Sequence, residues 1–116
     1  MNIEIVTKKI SPEQIEKLAT DTFDTMCKVS VDIHRGVAAF GGQLHEDGLH
    51  ALLKDGSKKD DVWGANIFID QECGANLDYV SLINIKRGWN KSPELKYEPV
   101  KKKVHEVLKK LTSGLV

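Results

Sequence analysis

The sequence predicts an α+β domain, a two-layer sandwich in the order β-α-β-β-α-β-β-α with a mainly antiparallel sheet and helices on one face. Three observations carry this expectation. Stretches with a hydrophobic period of two come in two adjacent pairs, each pair joined through a glycine-bearing turn. Other stretches show apolar residues three and four apart, as helices do. The chain of 116 residues, 41% of them hydrophobic, suits a single domain over 1–116, which at this size buries roughly two thirds of its unfolded surface.

Asn2-Ile3-Glu4-Ile5-Val6 alternates polar with apolar and reads as a short strand. Ser11-Pro12-Glu13-Gln14 is a helix start, with Ser11 as N-cap, Pro12 where no amide donor is needed, and Gln14 completing a capping box. Behind it Ile15, Leu18, Ala19, Thr22, Phe23 and Met26 form one stripe, which predicts a helix over about 12–27. From Lys28 the period drops to two. Val29, Val31 and Ile33 face one way, and Lys28, Ser30 and Asp32 the other. His34-Arg35-Gly36 supplies a turn, and Val37-Ala38-Ala39-Phe40 completes a hairpin. Residues 44–54 return to helical spacing through Leu44, Leu49, Leu52 and Leu53, stopped at Asp55-Gly56-Ser57. Residues 63–70 and 77–85 read as two further strands joined through Gly74-Ala75-Asn76, and 88–96 as a loop. After Pro99 a last amphipathic helix presents Val100, Val104, Val107, Leu108 and Leu111 on one side and lysines on the other.

The net charge of zero is a cancellation. Residues 1–85 hold 8 basic and 14 acidic side chains, a balance of −6, and residues 86–116 hold 9 and 3, a balance of +6. Such a split accompanies either a polyanion contact or an internal match between the two parts. No apolar run approaches the roughly 20 residues of a spanning helix, and the first residues lack the basic and apolar regions of an export signal. The expectation is a cytoplasmic protein without a membrane contact. Cys27 and Cys73 form no C-x-x-C pair and are expected to be reduced, Cys27 as a buried hydrophobe and Cys73 in a turn where a reactive thiol is conceivable.

No pattern in the chain specifies a reaction, and the biochemical function stays unknown at this level. A Walker A loop, a dinucleotide fingerprint, a nucleophile elbow and a zinc ribbon are all missing from the sequence, and neither a cofactor nor a metal site is expected. Gly41-Gly42-Gln43-Leu44-His45-Glu46-Asp47-Gly48-Leu49-His50 is richest in functional residue types. At about 100° per residue His45 falls on the side of Leu49 and Leu52, whereas His50 falls with Glu46 and Asp47 on the polar side. A partly buried His45 is a candidate general base, ligand or hydrogen-bond anchor, oriented by Asp47 or Asp32. The plainer alternative is a core histidine held by a backbone carbonyl.

Asn66 and Asn84 interrupt otherwise apolar strands, where asparagine is depleted, so each needs a partner: the other, a loop or a ligand. With Trp63, Ser81, Lys86, His45 and Asp47 they make up a candidate polar pocket for a small ligand or a partner peptide. The alternative is that these amides pin strand register. A hydrolase-like enzyme would use His45 as base and Lys86 to stabilise an anion. A third reading, an RNA-associated or assembly module, would use Arg87, Trp89, Lys101 and Lys102 for stacking and phosphate contacts, although the acidic body argues against nucleic acid. Unpaired strand edges also allow a homodimer.

Gly41-Gly42-Gln43-Leu44-His45-x-Asp47, Leu52-Leu53-x-x-Gly56-Ser57, Asp61-x-Trp63-Gly64-x-Asn66 and Ser81-Leu82-Ile83-Asn84-Ile85 together resemble a family of short bacterial and archaeal proteins known as a domain of unknown function. The resemblance runs over nearly the whole chain. Lys86 stands where that family usually has arginine, and Asn90-Lys91-Ser92 resembles its Asn-x-Ser element. Glu46 and His50 fall outside the pattern. The resemblance implies that His45, Asp47, Asn66 and Asn84 are a shared constellation, and it implies no activity.

Overall fold

The computed structural model describes residues 2–70 and 74–116. Cys73, singled out above for its thiol, lies outside the described residues. The elements follow the expected order: β1 (Ile3–Val6), α1 (Pro12–Thr20), β2 (Met26–Asp32), β3 (Val37–Gly41), α2 (His45–Lys54), β4 (Val62–Asp70), β5 (Gly74–Asp78) and α3 (Glu98–Leu111), with short 3-10 turns at Lys59–Asp61 and Leu82–Asn84. The strands form one open sheet in the order β1-β3-β2-β4-β5, and every neighbouring pair is antiparallel. The fold is therefore α+β, as the patterning predicts.

The helices lie on both faces of this sheet, so the expectation of two layers with all helices on one face is corrected to three layers. On the first face, Ile15, Leu18 and Ala19 of α1 and Val104, Leu108 and Leu111 of α3 cover Cys27, Val29 and Val31 of β2 and Ala38 and Phe40 of β3. On the second, Leu49 and Leu52 of α2 join Val37, Ala39, Val62 and Ile83. The cause lies in β2. Lys28, Ser30 and Asp32 alternate like a solvent-facing row, but Ser30 and Asp32 are buried beneath α2. Ser30 Oγ donates to the His45 carbonyl at 2.9 Å, which meets the hydroxyl's need for a partner. Gly48 makes the close approach possible, because a Cβ there would stand 2.7 Å from Ser30 Oγ. Burying Leu49 and Leu52 on this second face contributes roughly 2 kcal/mol each.

Two boundaries also differ from the periodicity. The capping box at Ser11 and Gln14 starts α1 as expected, but the helix ends at Thr20 rather than near 27. Asp24 takes a left-handed backbone, φ 68°, and Met26 and Cys27 are drawn into pairing with Phe68 and Ile67 of β4. Helical spacing through Thr22, Phe23 and Met26 thus yields to strand pairing. The last strand runs Gly74–Asp78 rather than 77–85, so Gly74, Ala75 and Asn76, expected as the joining turn, are paired with Asp70, Ile69 and Phe68 of β4. Beyond it the chain leaves the ladder, and Ser81 caps a 3-10 turn by accepting from the Ile83 amide at 3.3 Å. Among the described residues no helix is long and apolar enough to cross a membrane.

Candidate functional site

Because β5 pairs only with residues 66–70 of β4, the backbone of 62–65 along that edge has no strand beside it. An unpaired buried peptide group costs about 1–3 kcal/mol, so something else must meet it. Asn84 meets the part of it at Gly64. Its side chain is fully buried, and Oδ1 accepts from the Gly64 amide at 2.7 Å while Nδ2 donates to the carbonyls of Gly64, Tyr79 and Pro93 at 3.0, 3.0 and 3.2 Å. One amide donor and three carbonyls fix the orientation of the carboxamide. Asn90 Nδ2 in turn donates to the Asn84 carbonyl. Asn84 thus acts as one residue of a missing strand.

Lys86 continues the same edge. It is 6% exposed, and its ammonium donates to the carbonyls of Val62 at 2.6 Å and Lys59 at 3.0 Å and sits 4.7 Å from the centre of the Trp63 ring. Burial pulls the ammonium below the usual lysine range; nearby Asp60 opposes this, Lys59 adds to it, and Asp61 opposes it. Trp63 is buried, its indole N–H without a hydrogen-bond partner among the described residues. It meets Trp89 edge-on at 5.2 Å between ring centres, and Trp89 meets Tyr97 at 5.8 Å. Asn84, Lys86 and Trp63 therefore close the β4 edge and do not line a pocket with His45.

His45 opens α2 and is 6% exposed. Its Nε2 donates to the Ala65 carbonyl at 2.8 Å, which assigns the ring proton to that nitrogen and leaves Nδ1 as an acceptor. Burial is the main force on this imidazole; it outweighs the Ala65 carbonyl, which favours the charged ring, and the pKa is pushed down to about 4, with Lys28 lowering it further and Asp78 and Asn66 opposing. The ring is neutral at physiological pH. From about pH 6.5 down to 4, then, the unfolded chain takes up a proton that the folded chain refuses. Stability is full above pH 6.5 and drains on acidification by about 3 kcal/mol. Urea unfolding at pH 7, 5.5 and 4.5 should show this slope in the native protein and lose it in His45→Gln, which keeps a donor for Ala65. Parallel pH curves for the two proteins would refute it.

Beside His45 lies a cleft of about 390 Å³. Lys28, His45, Glu46 and Ser81 supply its polar wall, and Leu44, Val80, Leu82, Ile83 and Pro93 its apolar wall. Leu44, Val80 and Leu82 are 56%, 44% and 69% exposed, so the mouth is an apolar rim open to solvent. The volume falls in the range of small-molecule sites. Asn66 lies against this cleft without lining it; its Nδ2 donates to Asp78 Oδ1 at 2.7 Å and to the Val80 carbonyl at 3.0 Å, while Oδ1 is buried with no hydrogen-bond partner among the described residues. Lys28 sits 5.3 Å from the Phe23 ring, and burial draws its ammonium below the usual lysine range against the pull of Asp78.

Neither carboxylate offered as an orienting group reaches the imidazole. Asp47 accepts from the Leu44 amide at 3.2 Å and caps α2. Asp32 accepts from the amides of His34 and Arg35, both at 2.9 Å, and so holds the β2–β3 turn. Among the described residues no hydrogen bond joins Ser81 to His45, so the geometry offers general-base hydrolysis no bonded nucleophile. The C-terminal group separates too. Arg87 and Lys102 are exposed, Lys101 sits 5.0 Å from the Tyr79 ring, and Trp89 is engaged edge-on with two aromatic rings. No group of three or more metal-ligating side chains exists among the described residues.

Of the seven pocket residues expected from sequence, His45 and Ser81 line the cleft and Asn66 lies against it. Lys28, Leu44, Val80 and Leu82 were missed. One signal was present: Leu44 stands at an N-cap, where a polar residue normally sits, and an apolar side chain there is left in solvent.

No curated protein and no solved structure matches the chain. A family model described as a protein of unknown function (DUF5674) matches residues 4–111, nearly the whole chain, from β1 to the end of α3, and the chain belongs to that family.

Proposed function

We propose that the domain binds a small molecule, or one side chain of a partner peptide, in the cleft beside His45. One observation carries the reading: exposed Leu44, Val80 and Leu82 rim a cavity whose wall includes the buried, neutral imidazole of His45. Apolar side chains left in water around a concavity with a few fixed polar groups are the usual makeup of a ligand site. Catalysis has less support, since neither a carboxylate nor a nucleophile is hydrogen-bonded to the imidazole among the described residues.

The test is a fragment library followed by amide chemical-shift mapping on the labelled protein. Binding should move the signals of residues 44–46 and 80–83 together. Leu82→Glu, placed on the exposed rim, should weaken every hit at least tenfold while changing stability by under about 0.5 kcal/mol. A library that moves none of these signals refutes the reading.

A further inference from the structure

We infer that the cleft selects a carboxamide head carried on a branched aliphatic arm; this rests on the binding role proposed above. The inference follows from which hydrogen-bonding groups of the wall have partners. At the His45 end there is an acceptor. Nε2 is committed as a donor to Ala65 at 2.8 Å, which leaves Nδ1 as the acceptor of a ring that lines the cleft. Close to it there are donors. Ser81 Oγ accepts from the Ile83 amide and keeps its own hydrogen to give, and the Lys28 ammonium, which lies near the Phe23 ring and feels Asp78 without a close ion pair, also lines the cleft.

A head that complements this wall must donate toward His45 and accept from Ser81 and Lys28. A carboxamide does both with one planar group. A carboxylate offers His45 only acceptors, and an ammonium offers Ser81 and Lys28 only donors. The rim fixes the rest of the ligand, because Leu44, Val80 and Leu82 present branched aliphatic surface, so the arm that covers it is of similar shape. At about 390 Å³ the cleft holds such an amide with room for one further substituent.

Three probes of one shape separate the heads: isovaleramide, isoamylamine and isovalerate, titrated at pH 7 with shift mapping. Isovaleramide should bind in the millimolar range and at least fivefold more tightly than either partner, moving His45 and Ser81 signals in particular. Tighter binding of the amine or the acid overturns the carboxamide inference while the cleft remains a binding site. Failure of all three also overturns it, and whether the cleft binds anything is then decided by the fragment library. Leu82→Glu should abolish the isovaleramide shifts; their persistence would place the amide elsewhere and overturn the inference as well.

Discussion

Replacing Asn84 by aspartate should cost about 4 kcal/mol, a large part of the roughly 5–15 kcal/mol that holds a domain of this size together. The change is nearly isosteric, so packing stays as it was and only hydrogen bonding is altered. The carboxylate still accepts from the Gly64 amide, but it faces the carbonyls of Gly64, Tyr79 and Pro93 with oxygen in place of an N–H. Three acceptors lose their donor and a charge is buried without a counter-ion, each a heavy penalty. The pH dependence makes the test specific. Burial and the facing carbonyls raise the pKa of the introduced carboxyl, so Asn84→Asp should regain stability as the pH falls and the group becomes neutral, opposite in sign to the loss His45 imposes on the native protein over the same range. Urea midpoints at pH 7 and pH 5 check both. If Asn84 served only a ligand, the substitution would shift stability by less than about 1 kcal/mol and show no recovery in acid.

Why sequence reading found Asn84 but misplaced it is a matter of what periodicity can report. Residues 77–85 carry apolar side chains at the density of a buried strand, and Asn84 looked like a polar interruption in it. In the fold the chain leaves the sheet after Asp78, and Asn84 returns to it through its side chain, its carboxamide standing in for a peptide group on the β4 edge. A side chain that imitates backbone leaves no periodic trace. The second face of the sheet was hidden for a related reason: Ser30 and Asp32 are polar, yet one is satisfied by the His45 carbonyl and the other has one oxygen taken up by the turn amides, so both are buried where alternation predicts solvent. Elements that depend on local rules were legible. The Ser11 capping box and the Val104, Leu108 and Leu111 stripe of α3 need nothing from the rest of the chain to be read. The cleft needed tertiary information, because Leu44 and Leu82 are far apart in sequence and become one rim only when α2 settles beside the 3-10 turn at residues 82–84.

Gly64→Ala should be the other severe substitution, and its partner Ser81→Gly should relieve it. A Cβ at position 64 would overlap Ser81 Cβ and stand 2.5 Å from Ser81 Oγ and 3.0 Å from His45 Cδ2. Overpacking of this kind costs about 1–3 kcal/mol when neighbours can shift. Here they are tied down: the Ser81 amide donates to the Pro93 carbonyl, its carbonyl accepts from Asn84, and its hydroxyl caps Ile83. Moving Ser81 away from Gly64 therefore pulls Asn84 off the edge that it completes, so the cost should reach about 3 kcal/mol or more. Ser81→Gly alone loses a hydroxyl cap and gains chain entropy in the unfolded state, about 1 kcal/mol. If the two effects were independent, the double variant would be the least stable of the set. Because Ser81→Gly removes the two atoms in the way, the double variant should instead be more stable than Gly64→Ala, by about 1–2 kcal/mol, with the remaining deficit set by His45 Cδ2. A double-mutant cycle by urea denaturation reads this coupling directly. Additivity within about 0.5 kcal/mol would mean that Gly64 is needed for its backbone and not for the approach of Ser81 and His45.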